Sequence, residues 1–438
     1  MTAKVLKFGG TSLADAEQFK KVKAIIDADP TRRYVVASAP GKRFDDDIKV
    51  TDLLYDCYNK ATRGEDFEDT LGEISGRFGE IITTLGIGFD ITADIDLIRR
   101  NLSNYPSKSY AASRGEYLNS KILAAYLGFN FVDPYYCIRF RADGALDSVA
   151  TNEALKKVLY DLDNAVVAGF YGSGPDGNII TFSRGGSDIT GSLVAKAIDA
   201  DLYENWTDVS GLLAADPRII KNPRVVEYIS YRELRTLSYM GATVLHADAL
   251  LPVNQAGIAV NIRNTNRPGD PGTMIVSELP AERELHTITG VAGRKGLSVI
   301  QVEKMMVSDG AGFTAIILDI FKNYSVPFEQ CLTGIDTVTV IIRADYFKAK
   351  KDELLQAIND QLEPDTLLVK ENLAMIAVVG EADADYQGST VTILGAISAA
   401  GIDLNTINQG AGALNLIVGV NEADYEEAIR AVDRKSVV

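Results

Sequence analysis

The stretch "AKVLKFGGTS" (Ala3–Ser12) sets the N-terminal half of the fold. A short apolar run ends in a lysine and is followed by two glycines and two hydroxyl side chains. The lysine precedes the glycines, so the order differs from the Walker pattern G-x-x-x-x-G-K-[ST]. We expect a buried strand that ends in an anion-binding loop. A lysine at that strand end either pairs with an anion, a phosphate or an aspartate, or extends its amine to the surface.

Strand-like and helix-like patterns alternate over the first 265 residues. The helical patterns include Ala14–Ala28, Lys108–Leu127 and Asp188–Asp199. The predicted strands are "KVLKF", "RYVVAS", "FNFVD", "AVVAGF", "LYENW" and "IAVNI". This alternation predicts an α/β domain over 1–275, with a mostly parallel sheet sandwiched by helices.

A connector, 264–286, is rich in proline and glycine and has room for one short strand. Beyond it, a β-α-β-β-α-β pattern of about seventy residues occurs twice, which predicts two ferredoxin-like domains, 286–370 and 371–438. The second copy lacks a final strand. We hypothesise that the strand in "HTITGVAGR" (286–294) completes it, with the first copy inserted between.

The composition and net charge of the chain disfavour some classes of binding partner. The chain has 438 residues and a formal net charge of −16, which disfavours nucleic acid or an anionic membrane surface as a partner. It shows no membrane-spanning apolar run and no signal peptide. Three cysteines indicate a reducing cytoplasm, and two histidines are too few for a zinc site.

Four glycine-bearing loops directly follow predicted strands. Because ligands bind outside the carboxyl ends of parallel strands, these loops together predict one binding site. They are "FGGTS" (8–12), "SAPGK" (38–42), "GFYGSG" (169–174) and "WTDVSG" (206–211). The formal G-x-G-x-x-G match in "GSGPDG" (172–177) is better explained as a hairpin turn than as a dinucleotide fingerprint.

Two further motifs hold candidate binding residues. In "SRGGSD" (183–188), Ser187 is a good N-cap for the next helix, and Arg184 can bind a carboxylate. In "SRGE" (113–116), Glu116 lies in a helical stretch. It either binds an amino group or is solvated, and the sequence pattern alone favours the solvated alternative.

These motifs, together with "WTDVSGLLAADPR" (206–218) and the C-terminal repeat, closely resemble aspartate kinases of the amino acid kinase family, which carry tandem ACT domains. The resemblance covers essentially the whole chain. It implies phosphorylation of the β-carboxylate of L-aspartate by ATP with Mg²⁺. We expect a monofunctional enzyme, because no homoserine dehydrogenase domain follows the repeat.

The resemblance also implies residue roles. Arg184 would bind the substrate α-carboxylate, and Glu116 its ammonium. The aspartate pocket would be completed by Ser38, Thr51, Gly185, Gly186 and Ser187. The nucleotide site would be lined by Lys7, Thr207, Asp208, Leu213, Asp216, Arg218 and Thr243. Lys7, Gly9 and Gly10 would contact the transferring phosphoryl group, and Asp188 would orient Lys7 or the substrate.

Two positions depart from the family pattern. Thr243 stands where many relatives have a lysine that reaches the nucleotide phosphates, and Leu213 stands where many have a tyrosine. We hypothesise that Lys42 or Arg43, in the long loop "SAPGKRFDDDIKVT" (38–51), supplies the missing positive charge.

The scarcity of histidines is compatible with this chemistry. A carboxylate nucleophile has an ordinary pKa of about 3.9 and is ionised at neutral pH, so no general base is needed. Catalysis then depends on positioning and on positive charge near the phosphoryl group.

For the regulatory half, the resemblance implies a homodimer or a dimer of dimers through the ACT domains, with lysine or threonine as effector. Glu329 would take the effector ammonium, or is simply an exposed strand residue. The other effector-site candidates are Met305, Asp309, Phe313 and Thr314.

Two other functions remain open. One is a related kinase of another carboxylate or a carbamate, against which the paired "SRGE" and "SRGGSD" motifs argue. The other is an amino-acid sensor whose kinase half has lost activity, which Thr243 and Leu213 favour and Lys7, Arg184 and Asp188 oppose.

Overall fold

The computed structural model describes residues 2–183, 185–242, 245–280, 288–305, 310–380, 389–410 and 415–436. The chain forms two compact units. The first comprises Met1–Leu212, Val225–Leu234 and Val244–Arg283, and the second comprises Leu213–Arg224, Arg235–Thr243 and Glu284–Val438. The second unit therefore includes two short segments that lie within the predicted N-terminal domain. The predicted domain boundaries themselves stay predictions.

The first unit is built on a mostly parallel sheet, which confirms the predicted fold class. Its strands are β1 (Lys4–Phe8), β2 (Arg32–Ala37), β3 (Asn130–Val132), β4 (Ala165–Ala168), β5 (Tyr171–Ser173), β6 (Ile179–Thr181), β7 (Leu202–Thr207), β8 (Tyr228–Ser230), β9 (Val260–Asn264) and β10 (Thr273–Val276). Within the described residues the main sheet has the order β3-β4-β2-β1-β7-β9-β10-β8, and only its β9–β10 pair is antiparallel.

All six predicted strands are present, as β1, β2, β3, β4, β7 and β9. The connector holds the expected short strand, β10. Strands β5 and β6 pair as an antiparallel hairpin around "GPDG", so the hairpin interpretation of that glycine motif is confirmed. Strand β8 was not predicted, because three residues give too short a pattern.

The helices of this part of the chain have ordinary start and stop signals. They are α1 (Ala16–Asp27), α2 (Val50–Arg63), α3 (Glu68–Leu85), α4 (Thr92–Asn104), α5 (Lys108–Leu127), α6 (Ser148–Leu159), α7 (Gly186–Ala197), α8 (Tyr231–Tyr239) and α9 (Leu251–Gln255). Helix α5, for example, begins after Ser107, whose side chain accepts a hydrogen bond from the Tyr110 N–H. It ends at Gly128, in the left-handed conformation that favours glycine.

Aromatic and aliphatic side chains of the strands and of helices α1 to α5 form the core of the first unit, including Phe8, Phe19, Phe78 and Trp206. A buried ion pair lies beside Trp206. Arg32 donates two hydrogen bonds to Glu204, at 2.9 and 3.0 Å, and the Trp206 indole N–H donates a third at 3.0 Å. This bidentate geometry offsets the cost of burying both charges.

The parallel strands bring their following loops to one edge of the sheet. Strands β4, β2, β1 and β7 are consecutive neighbours. The ladder continues past their ends: Ser38 N–H donates to Phe8 O, Gly9 N–H to Trp206 O, and Gly169 N–H to Ala37 O. The four glycine-bearing loops therefore meet, as the sequence predicts.

The second unit contains a six-stranded antiparallel sheet in its described residues, with the order β12-β13-β11-β14-β16-β15. Its strands are β11 (Gly290–Glu303), β12 (Phe328–Thr333), β13 (Thr337–Arg343), β14 (Thr366–Val379), β15 (Thr406–Gln409) and β16 (Asn415–Asn421). Its helices are α10 (Gly310–Asn323), α11 (Ala344–Leu362), α12 (Ser389–Ala399) and α13 (Tyr425–Ser436). This order of elements is the predicted tandem ferredoxin-like repeat.

The long strands β11 and β14 belong to both repeats. The second part of β11, Leu297–Glu303, pairs with β13 of the first repeat. Its first part, Gly290–Arg294, pairs with Met375–Val379 of β14, which also pairs with β16 of the second repeat. This is the pairing that the inserted-repeat hypothesis requires.

None of the helices in the described residues is both long enough and apolar enough to cross a membrane.

Two of the loops touch backbone to backbone. The Gly41 N–H donates to the Gly10 carbonyl at 2.8 Å. A Cβ on Gly10 would lie 2.8 Å from the Ala39 carbonyl oxygen, and a Cβ on Gly41 would lie 2.6 Å from the Gly10 carbonyl carbon. The glycines therefore allow the loops after β1 and β2 to pack together.

We predict that Gly10→Ala lowers the free energy of unfolding by about 1–3 kcal/mol, because it overpacks this contact. Thermal and urea unfolding measure the change. Gly76→Ala is the matched control: a Cβ there meets no atom within 4 Å, and alanine is the better helix former, so stability should not fall. Equal stability of both variants would contradict the packing role of Gly10.

Candidate active site

Lys7 and Asp188 form an ion pair at the centre of this sheet edge. The distance from Lys7 Nζ to Asp188 Oδ1 is 2.7 Å, and the two side chains are 11% and 14% exposed. Lys7 lies near the end of β1, and Asp188 in the first turn of α7. Of the partners that the sequence left open for this lysine, the structure shows an aspartate.

The start of α7 differs from the prediction. Gly185 is the N-cap, with a φ of +57°, and Ser187 lies inside the first turn. The predicted capping role of Ser187 is therefore wrong, because glycine takes the left-handed conformation without strain. Ser187 instead packs against Gly169, where a Cβ would clash with the serine hydroxyl. This contact brings the turn Gly185–Ser187 to the end of β4.

Two side chains of β7 bind Asp188, and the sequence analysis had assigned neither a role. Asn205 Nδ2 donates to Asp188 Oδ1 at 2.8 Å, and the Tyr203 hydroxyl donates to the Asp188 backbone carbonyl at 3.2 Å. Both residues lie inside "LYENW", where alternate side chains share one face of the strand.

The loop after β2 collects three predicted substrate residues. Ser38 begins the loop, and its carbonyl accepts a hydrogen bond from Asn119 Nδ2 at 2.7 Å. The Ala39 N–H donates to the Glu116 carboxylate. The Val50 N–H at the start of α2, the residue before Thr51, donates to the Pro40 carbonyl at 3.4 Å. Ser38, Thr51 and Glu116 thus all border the loop after β2.

Glu116 is buried at 6% exposure, so the solvated alternative is wrong. Burial raises the pKa of Glu116 to about 8, although the Ala39 N–H favours the charged form. Among the described residues, the Oε2 atom has no hydrogen-bond partner, and neither has the nearby Asn119 Oδ1. Because buried polar atoms are normally paired, these two acceptors indicate a place for a ligand donor.

Hydrogen bonds from a side chain of α3 hold the long loop 38–51. Arg77 donates to the carbonyls of Gly41 and Ile48. Arg43 donates to both carboxylate oxygens of Asp47 at 2.9 Å, which holds the pKa of that carboxyl well below its usual range. The Lys42 amine donates to the Asp45 carbonyl. The arginine is thus held within its own loop, which disfavours it as the replacement cation, while Lys42 stays a candidate.

The expected nucleotide residues fall in different units. Thr207 ends β7, and its hydroxyl donates to the exposed Asp208 at 3.2 Å. Leu213, Asp216 and Arg218 belong to the second unit. There Arg218 pairs with Asp216 at 2.6 Å, and its hydrogen bonds lower the pKa of that carboxyl.

A pocket of about 540 Å³ lies along this second-unit segment, within the size range of small-molecule sites. It is lined by Leu213, Pro217, Arg218, Ile219, Lys221, Asn222 and Pro223. Lys221 is a cation that the sequence analysis did not consider, since no motif marks it.

Of the effector candidates, Glu329 has the most suggestive surroundings. It pairs with Arg294 at 2.9 Å, and its side chain is 8% exposed. In the part of the chain that the structure describes, its Oε2 has no hydrogen-bond partner. Phe313 packs in the core of the first repeat, which accounts for it without a ligand. Met305 is 67% exposed, and its N–H donates to Asp365 at 2.6 Å. Thr314 is half-buried in α10.

Three predicted residues, Arg184, Thr243 and Asp309, lie outside the described residues. In the part of the chain that is described, no group of three or more His, Cys, Asp or Glu side chains is placed to hold a metal ion.

Comparison with known proteins identifies the family. A model of the amino acid kinase family matches residues 2–264, and an ACT domain model matches residues 376–435. Aspartokinase 3 of Bacillus subtilis is 35% identical over 445 residues, which cover 98% of this chain and 97% of that protein. This chain belongs to the aspartate kinases of the amino acid kinase family.

Solved structures of aspartate kinases agree. The Clostridium acetobutylicum aspartate kinase is 44% identical, with a TM-score of 0.89 and full coverage of both chains. Escherichia coli aspartokinase III in complex with aspartate and ADP is 22% identical, with a TM-score of 0.76 and full coverage of both chains, and this likeness shows the shared fold.

The buried carboxyl of this aspartate kinase gives a prediction about stability. The pKa of Glu116 is raised from its ordinary 4.5, so between pH 4.5 and about 8 the folded chain holds a proton that the unfolded chain loses. Because the folded chain holds this extra proton, the free energy of unfolding falls as pH rises through that window. Glu116→Gln removes this effect, and its stability relative to wild type should grow by at most about 1.4 kcal/mol per pH unit.

Urea unfolding at several pH values between 5 and 9 measures this difference. Glu73→Gln, at an exposed position on α3, is the control and should show no such trend. A Glu116→Gln difference that stays constant with pH would contradict the raised pKa.

Proposed function

We propose that this chain transfers the γ-phosphoryl group of ATP to the β-carboxylate of L-aspartate, giving 4-phospho-L-aspartate and ADP, the first step toward lysine, threonine and methionine. A carboxylate oxygen forms the new bond to phosphorus, and the bond to the leaving ADP oxygen breaks. No proton has to be moved, because the nucleophile is already ionised. The observation that carries the proposal is the buried Glu116 Oε2, which has no partner among the described residues and lies beside a loop that touches the Lys7 loop.

The aspartate ammonium would bind Glu116, and it would favour the charged form of this carboxyl. Ser38, Thr51 and the turn Gly185–Ser187 would complete the pocket, with Arg184 on the α-carboxylate. The contacts of Glu116 and Val50 with the loop after β2 support this grouping. An ammonium is chemically suited to the site because it supplies N–H donors to a region rich in unpaired acceptors.

Lys7 would act at the transferring phosphoryl group and Asp188 would orient it. A Cβ on Gly9 would lie 3.7 Å from Lys7 Nζ, so a glycine leaves the space beside the amine open. Gly10 would contribute its backbone at the same place, in addition to the packing role described above. The dipole at the N-terminus of α7 would add partial positive charge.

In the first unit, Thr207 and Asp208 after β7 are proposed as nucleotide contacts. In the second unit, Leu213, Asp216 and Arg218 are proposed as nucleotide contacts. The pocket volume and its cations, Arg218 and Lys221, support this assignment. Mg²⁺ would enter with the nucleotide, since it keeps water and phosphate oxygens as ligands and neutralises developing charge. Asp208, an exposed carboxylate at the end of β7, has the chemistry to supply one oxygen ligand.

Regulation by an amino acid would act through the second unit. An effector ammonium at Glu329 fits the Oε2 atom, which has no hydrogen-bond partner among the described residues. The effector carboxylate would lie at the N-terminus of α10, where the helix dipole favours an anion. Lysine and threonine are the candidates, and E. coli aspartokinase III has been solved with lysine and aspartate. The edge strands β12 and β15 expose Phe328 and Ile407, which supports a homo-oligomer formed through the ACT domains.

We place the protein in the cytoplasm. All three cysteines are free thiols, and two of them are buried, which suits a reducing compartment.

The catalytic proposal predicts aspartate-dependent formation of ADP and of an acyl phosphate that hydroxylamine traps as a hydroxamate. Lys7→Met should lower kcat by about 10²- to 10⁴-fold, because it removes the positive charge at the phosphoryl group. Lys4→Met is the matched control on the same strand. Lys4 pairs with Asp29, and its loss should leave kcat within about twofold of wild type.

Two results would contradict this proposal. A folded wild-type protein that forms no hydroxamate with ATP, Mg²⁺ and aspartate would favour a sensor without kinase activity. Faster turnover with another carboxylate or a carbamate than with aspartate would favour the related kinase.

The regulatory proposal predicts that lysine or threonine inhibits the wild-type enzyme and that Glu329→Gln raises the inhibitory concentration by about tenfold or more, as expected for loss of a buried charge pair. Activity without effector should stay close to wild type. Glu353→Gln, on the exposed side of α11, is the control. Inhibition of Glu329→Gln at the wild-type concentration would exclude Glu329 from the effector site.

A further inference from the structure

One carboxylate oxygen at the candidate active site receives two donors. Asp188 Oδ1 lies 2.7 Å from Lys7 Nζ and 2.8 Å from Asn205 Nδ2. Lys7 and Asn205 are direct partners in the parallel β1–β7 pair, so their side chains lie on the same face of the sheet. Asn205 is 3% exposed and therefore lies beneath the ion pair, away from solvent.

Tyr203, which lies two residues before Asn205 on β7, also binds Asp188. Its hydroxyl donates to the Asp188 carbonyl and lies 3.5 Å from Asn205 Nδ2. Burial raises the pKa of Tyr203 well above its usual range, so the hydroxyl stays protonated and can donate. A Cβ on Gly191 would clash with the Tyr203 ring, so this glycine lets α7 lie close to β7. Strand β7 thus holds both the backbone and the carboxylate of Asp188.

We propose that Asn205 is a positioning residue for phosphoryl transfer, and this inference rests on the proposed function. Lys7 has to direct its N–H donors toward the phosphoryl oxygens as negative charge develops there. As it does so, Asp188 would lose its principal partner. The Asn205 amide keeps one hydrogen bond on Oδ1, so the carboxylate stays in place and Lys7 stays aligned between Asp188 and the phosphoryl group.

The amide is the group that this place requires. It donates a hydrogen bond without a charge of its own, so it neither competes with Lys7 for the phosphoryl group nor repels Asp188. A carboxylate there would face Asp188 and would draw Lys7 away from the nucleotide. An apolar side chain would leave Lys7 as the remaining side-chain donor to Oδ1 among the described residues.

The kinetic test uses Asn205→Leu, which has a similar volume and no donor. We expect kcat to fall by about 10- to 100-fold, with the KM for aspartate within about threefold of wild type, because the defect is in alignment and not in substrate binding. Asn261→Leu on β9 is the matched control: it is also a buried asparagine of this sheet, and its kcat should stay within about twofold.

Asn205→Asp separates positioning from general stability, because the introduced carboxyl can donate only when protonated. The titratable groups in this network are Lys7 on β1, Asp188 on α7 and Tyr203 on β7. We expect kcat of Asn205→Asp to be lowest at pH 8–9 and to recover by about tenfold or more, relative to wild type, as pH falls toward 6. A purely structural defect would not recover in acid.

A second readout does not need turnover. In Asn205→Leu, Lys7 is the side-chain donor left to Asp188 Oδ1 among the described residues, so the Lys7 amine should be held more closely in the ion pair. Its labelling by an amine-acylating reagent at pH 8, followed by peptide mass spectrometry, should slow by about threefold or more. Lys4, measured in the same sample, is the internal reference.

The outcomes are distinct. A wild-type protein without aspartate kinase activity would overturn the proposed function, and the labelling rate would still test the hydrogen bond. An active wild type with equally active, folded Asn205→Leu would overturn the positioning role. So would a pH profile of Asn205→Asp parallel to that of wild type, or an unchanged labelling rate of Lys7.

Discussion

The ion pair between Lys7 and Asp188 is the interaction on which the candidate site depends. A lysine amine at the end of a buried strand has to be paired, and here the partner comes from the first turn of a helix 181 residues later in the chain. That pairing is possible because β1 lies beside β7 in the sheet and because β7 holds the start of α7. The loops that border the pair then define the space beside it, which is the candidate active site.

Close backbone approaches shape this space as much as charged groups do. Gly10 packs on Gly41, Gly115 of α5 packs on Ala39, and Gly169 packs on Ser187. Each glycine belongs to a motif that sequence analysis interpreted as ligand-binding. The structure shows that their first effect is to let neighbouring loops and helices touch, which holds Glu116 and Ser187 in place at the edge of the sheet. In the pair Gly9-Gly10, only Gly9 borders the lysine amine.

The sequence was sufficient for the features that depend on local patterns. Six strands, helix α5, the β5–β6 hairpin and the C-terminal repeat were all predicted, since periodicity and turn residues lie within a few positions of each other. The sequence did not predict the features that depend on a contact between residues far apart in the chain. Glu116 looked solvated because its neighbours along α5 are polar, and only the fold places Ala39 against it. Asn205 is a polar residue within a strand, and the sequence around it does not predict that it binds Asp188.

Strands β11 and β14 join the two regulatory repeats in one six-stranded sheet. Each strand gives one part of its length to the first repeat and the other part to the second, with Gly296 and Asn372, both at positive φ, near the change between the parts. The two repeats therefore form one continuous sheet, and they are not separate domains joined only by a linker. Recombination could not exchange one repeat for a foreign copy without leaving half-strands unpaired.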